Sequence, residues 1–185
     1  MIQLNNSILG YPIFTDWILW VSLPKVFDEP NRIKRIKNLM RKVFIKHQPF
    51  DLGQAEHEIL NFYAEPYAKI KPLDGEKGKS VVCFEYDREL IASAFMSDYG
   101  IDLWEQSFHY HKFCALFQNL RQENKIKQIM QWRGTELHTI ENIKERRFIQ
   151  EMQLMYALPL SKEEIAEKEN NQAAYEYLLS RQKVK

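Results

Sequence analysis

The sequence predicts a mainly α-helical fold, a compact multi-helix bundle of about seven helices with a short hairpin or an extended arm at the N-terminus. Three observations predict it. Apolar residues recur at helical spacing through most of the chain, residues suited to helix starts and stops punctuate those stretches, and the one stretch rich in both signals, Cys83 to Leu120, reads as a helix pair. At 185 residues and 22.2 kDa the chain fits one domain and can bury roughly 70% of its unfolded surface. A hydrophobic content of 45% beside 28% charged residues is ordinary for a globular protein.

The first fifteen residues carry turn chemistry at Asn5-Asn6-Ser7 and Gly10 between short apolar runs, which gives the hairpin or arm. Thr15 or Asp16 can cap a short helix through WILWVSL, with Trp17 and Trp20 as core anchors, and Pro24 keeps it from passing Leu23. A second helix runs from near Glu29 or Pro30 to about Ile45 with Asp28 as its cap. Its apolar arc holds Ile33, Ile36, Leu39, Met40, Val43 and Phe44. The opposite side carries Lys34, Arg35, Lys37, Arg41, Lys42 and Lys46, and no acid interrupts Asn31 to Phe50. This basic face is either a solvated surface whose stems cover apolar groups or an electrostatic surface for phosphates or an acidic partner.

Asp51 with Gln54 has capping spacing for a third helix bearing Leu52, Ala55, Ile59, Leu60, Phe62 and Tyr63, which Pro66 terminates. Residues 67–80 then replace periodicity with proline, glycine and charge and read as an exposed connector. VVCFEY is extended or strand-like and leads into Asp87, the cap of a helix with Ile91, Phe95 and Tyr99 in one row, closed by Gly100. Asp102 and Glu105 have the spacing to begin the next helix almost at once, with Trp104, Phe108, Tyr110, Phe113, Cys114 and Phe117 in its apolar arc. KIKQIMQW turns Ile126, Ile129 and Met130 inward and ends at Gly134. Thr139 can cap a longer helix through Ile140, Ile143, Phe148, Met152, Met155 and Tyr156, stopped at Pro159. Residues 1–160 thus form a single helical domain. Ser161 and Glu164 open a C-terminal helix over 161–185 that packs only along the end bearing Tyr175, Leu178 and Leu179, and it either projects or docks onto another copy of the chain.

Signatures of catalysis are missing from the sequence. It holds no P-loop, GxGxxG or GxSxG pattern, HExxH pair or CxxC pair, so no catalytic, cofactor-binding or metal-ligating residue is expected. His109 and His111, two apart, would lie about 200° from one another on a regular helix and could not share an ion. Cys83 and Cys114 read as reduced, buried small hydrophobes. The longest apolar runs, such as Trp17 to Val21, fall far short of the roughly 20 residues of a membrane span, and no signal peptide opens the chain, so a cytoplasmic protein is expected. A formal net charge of +1 argues against a globally basic nucleic-acid binder.

FEYDRELIASAFMSDYGIDL at Phe84 to Leu103, FHYHKFCALFQNL at Phe108 to Leu120, IKQIMQWR at Ile126 to Arg133 and MQLMYALP ending at Pro159 resemble the bacteriophage gene-product-fifteen family, small proteins of tailed phages and of prophages. YPIFTDWILW at Tyr11 to Trp20 is similar to that family's opening segment. The chain departs from it at Ala64-Glu65, where the family often has Cys-Gly, and at Tyr110-His111, where paired tryptophans are common. The resemblance implies a gene of the tail-morphogenesis module and a tail assembly chaperone whose partners are the tape measure protein and the tail tube protein. It implies no catalytic residues. Arg35, Lys42 and Lys46 on the basic face and Tyr175, Leu178 and Leu179 near the C-terminus are the candidate partner-binding residues. The alternatives are a nucleic-acid-binding or regulatory module using the basic helix 32–46, and a permanent tail component.

Overall fold

A computed structural model describes residues 4–67 and 80–159. The expected C-terminal helix and most of the expected connector lie outside the described residues.

Strands β1 (Ser7–Ile8) and β2 (Tyr11–Pro12) pair antiparallel, with Ser7 opposite Pro12 and Ile8 opposite Tyr11. The two-residue turn is Leu9-Gly10, with φ of 52° and 78°, the primed geometry that suits strand twist. Beyond the hairpin the chain stays extended, and Ile13 bridges Phe44. Asp16 then caps α1 (Trp17–Ser22) by accepting from the Ile18 amide at 2.8 Å. Pro24 does end α1, but it also opens α2 (Pro24–Phe27), since its fixed φ and missing N–H suit a first helical position.

Helix α3 (Arg32–Val43) starts later than the sequence predicts. Asn31, not Asp28, is its cap, with its side-chain oxygen 3.0 Å from the Lys34 amide, while Asp28 closes α2. The buried face is also narrower than predicted. Leu39, Met40 and Val43 are buried, but Ile33, expected in the core, is 69% exposed. Helix α4 (Leu52–Ala64) is capped by Asp51 as predicted, with 2.9 Å to the Gln54 amide, and a 3-10 turn at Glu65–Tyr67 takes in Pro66. Ala55, Ile59 and Phe62 are buried, whereas Leu52 and Leu60 are exposed.

The segment expected to be strand-like, 81–86, is a turn. Asp87 draws it into one: its carboxylate accepts from the Cys83 amide at 2.9 Å, and its own amide donates to the Cys83 carbonyl at 2.8 Å. Asp87 holds the cap position of α5 (Arg88–Tyr99) yet makes no side-chain bond to the first turn. Gly100, at φ 64°, closes α5 as expected, with its amide on the Met96 carbonyl and the Ile101 amide on the Phe95 carbonyl.

The predicted tight corner to the next helix is replaced by a longer crossing. Asp102 accepts from the Trp104 amide and shapes a single turn that leaves Trp104 64% exposed, and α6 (Tyr110–Gln118) begins only after His109. The N-terminal arm pre-empts an earlier start. Trp17 donates to the Phe108 carbonyl at 3.1 Å, Tyr110 donates to the Thr15 carbonyl at 2.7 Å, and Ser107 bonds Asp16, so 107–109 are held extended. Helix α7 (Lys125–Gly134) buries Ile126 and Ile129 as predicted. Helix α8 (Ile143–Met155) is capped by Asn142, through the Lys144 and Glu145 amides, while Thr139 lies in a 3-10 turn at Leu137–Thr139.

Aromatic rings fill the centre. Phe113 stacks on Trp17 at 4.4 Å and on Phe95 at 5.3 Å, and Trp20 meets Phe62 at 4.3 Å and Tyr110 at 5.6 Å. The interior is not purely hydrocarbon and ring, because Asp87 and Arg133 are buried together.

Candidate functional site

The basic face of α3 is divided by its neighbours. Glu56 of α4 is nearly buried and receives Arg32 Nε at 3.2 Å and Arg35 Nε at 3.0 Å. Arg35 also donates to the Glu29 carbonyl at 3.0 Å, and Lys34 pairs with the Glu29 carboxylate at 2.6 Å. That lysine holds the Glu29 carboxyl below its usual range. Arg35 therefore fastens α3 to α4 and to the preceding loop, and only its flank faces water. Lys42 lies exposed on the last turn, and Lys46 lies past the end of α3, so the three basic residues picked from the sequence do not form one row. Tyr175, Leu178 and Leu179 lie outside the described residues. Elsewhere on α3 a shallow trough is lined by Asn31, Ile33, Lys34, Lys37, Asn38 and Arg41, of whose cations Lys37 and Arg41 make no ion pair among the described residues.

The histidine pair behaves differently from the helical prediction. His109 precedes α6, so its ring meets that of His111 edge to face at 5.1 Å. Their polar atoms are already engaged. His109 Nδ1 accepts from the His111 amide at 3.1 Å and Nε2 meets the Asn5 carbonyl at 2.9 Å, while His111 Nε2 meets the Phe62 carbonyl at 2.9 Å. Among the described residues, no three His, Cys, Asp or Glu side chains are grouped to hold a metal ion. No described helix is long and apolar enough to cross a membrane.

A family model described as bacteriophage Gp15 protein matches residues 5–158, a span that takes in every element from β1 to α8. The chain belongs to the Gp15 family. No curated protein and no solved structure gives a significant match.

In this Gp15 protein α8 carries exposed apolar residues along its length. None of its residues is buried, and Ile143, Phe148, Leu154 and Met155, three of which the sequence sets at helical spacing, are exposed, Leu154 at 75%. The helix is held mainly from one side. Phe148 and Tyr156 set their rings against Trp132 of α7, at 6.0 Å and 5.7 Å, and Gln153 donates to the Trp132 and Thr135 carbonyls. Lys125 lies over both Trp132 and Tyr156, at 4.6 Å and 4.9 Å from the ring centres. Periodicity found Ile143, Phe148 and Met155 but could not say whether a neighbouring helix would cover them. Glu56 and Arg133, which carry the buried charge contacts, were missed, because nothing local to either residue marks a partner 21 or 46 positions away.

Proposed function

We propose that this Gp15 protein is a non-catalytic tail assembly chaperone that transiently covers helical segments of the phage tape measure protein until tail tube subunits displace them. Family membership supports a phage role, and the observation that carries the finer reading is the set of exposed apolar side chains on α8. Ile143 and Leu154 share one side of the helix about three turns apart, and Met155 lies about a third of a turn round from them; on a helix held from one side they suit an amphipathic helical partner laid alongside. A patch on one short helix also suits release, since weak encounters bury less than about 1,200 Å². The protein would act in the host cytoplasm, and no nucleic acid or membrane enters the scheme.

Co-expression tests it. Tape measure fragments that are insoluble alone are expected to stay soluble and co-purify with the full chain, and the combined Ile143→Ser, Leu154→Ser and Met155→Ser variant is expected to lose them while keeping its fold. Substitutions at Arg35, Lys42 and Lys46 and at Tyr175, Leu178 and Leu179 ask whether the basic helix or the C-terminal residues add to the contact. Fragments that aggregate equally with and without the protein would overturn the reading. Recovery of the protein from finished virions in fixed stoichiometry would replace transient cover with a permanent tail role.

A further inference from the structure

We propose that the trough on α3 docks an acidic amphipathic helical segment of a partner protein, with carboxylates on Lys37 and Arg41 and an aliphatic side chain on Ile33. These three positions are four apart, so they form a single row along the helix, rising about 6 Å per step. The row runs apolar, cationic, cationic. Asn38 and Lys34 flank it with further donors.

The charge along this row is uncompensated. Glu56 and Glu29 engage Arg32, Arg35 and Lys34, whereas Lys37 and Arg41 make no ion pair among the described residues, and Asn31 to Phe50 contains no acid. An uncompensated cationic strip attracts an anionic partner and sets its register. Two kinds of polyanion could answer it, and Ile33 discriminates between them. Its 69% exposure in the midst of cations is useful to a partner with an aliphatic group at the same spacing and useless to a phosphate backbone. The strip is also short for nucleic acid, offering Lys37 and Arg41 as unpaired cations where salt-sensitive duplex binders make about six to ten phosphate contacts. The occupant therefore presents one aliphatic and two acidic residues at one-turn intervals. This surface is on a different helix from the exposed apolar residues of α8, and its loss would leave the chaperone reading standing.

Fluorescence anisotropy with the full chain tests the proposal. The probe is a labelled helical peptide carrying leucine, glutamate and glutamate at four-residue spacing, and the controls are a shuffled peptide of equal composition and a labelled DNA duplex. The ordered peptide is expected to bind more tightly than the shuffled one, and affinity is expected to fall as salt is raised. The double variant Lys37→Glu and Arg41→Glu should weaken binding by about tenfold or more, and Ile33→Ser by about threefold. All three side chains are exposed, and Lys37→Gln with Arg41→Gln provides a milder pair should charge reversal disturb the helix. Equal binding of ordered and shuffled peptides would overturn the proposal. So would DNA binding that is lost on charge reversal but indifferent to Ile33→Ser, which would make the strip a phosphate site.

Discussion

Arg133 joins three stretches of chain at one guanidinium. Its Nη1 and Nη2 donate to the Asp87 carboxylate at 2.7 Å and 2.9 Å, Nη1 also reaches the Val81 carbonyl at 3.1 Å, and Nε donates to the Tyr156 carbonyl at 2.7 Å. Both charges are almost completely buried, so each depends on the other for solvation. Asp87→Ala and Arg133→Ala are each expected to destabilise the fold by about 3–5 kcal/mol in urea unfolding, whereas Asp87→Leu with Arg133→Met should cost much less than the sum. Asp87 as a helix start was legible in the sequence. Its real task was not, because a cap needs only local spacing and an ion pair needs a partner that folding brings. Leu9 offers a second test at this scale. It is the one described non-glycine residue at positive φ, in a turn geometry that favours asparagine. Leu9→Asn is expected to raise stability by roughly 0.5–1 kcal/mol, read from the same unfolding curves.

Among the elements, α6 has an unusual start. His109 caps it through Nδ1, which leaves the proton on Nε2 for the Asn5 carbonyl, so the ring must be neutral to serve both. Burial pushes its pKa below the ordinary histidine range, opposed by the Asn5 carbonyl and reinforced by His111. Because the folded value lies beneath the unfolded one, near 6.5, this contribution is complete above about pH 6.5 and is lost as pH falls through the lowered folded value. The fall in stability between neutral and mildly acidic buffer is expected to shrink in His109→Asn, which can cap without titrating, and a slope unchanged from the parent would refute the assignment. The caps at Asp16 and Asp51 and the glycine stop at Gly100 could be read directly, since each acts within four residues. The starts of α3, α6 and α8 could not be placed from spacing alone. At each, an alternative cap of suitable chemistry lay a few residues away, and for α6 the contact that decided the matter came from Thr15 and Trp17.

Over the whole molecule, the helical class and the aromatic centre followed from periodicity, because a residue on an apolar face must find cover somewhere. Where the cover ends did not follow. Ile33, Ile143 and Met155 fit helical spacing as Leu39 and Phe95 do, yet they face water, and they contribute to the two proposed binding surfaces. The two halves of the chain also complete one another. Trp17 of α1 stacks on Phe113 of α6, and Tyr110 donates through its hydroxyl to the Tyr63 carbonyl in the last turn of α4. A fragment ending at Tyr67 is therefore expected to show no cooperative thermal transition by circular dichroism, although it contains four of the eight described α-helices.

The contact between Asn5 and His109 spans 104 positions. A ribosome working at about 5–20 residues per second delivers the second residue roughly 5–20 seconds after the first. Throughout that interval Trp17 lacks Phe108 and Phe113, the rings it stacks on. A protein whose own birth leaves a tryptophan unattended for so long would itself need shelter at the tunnel exit, and synonymous codons that slow the stretch before His109 should lower its soluble yield.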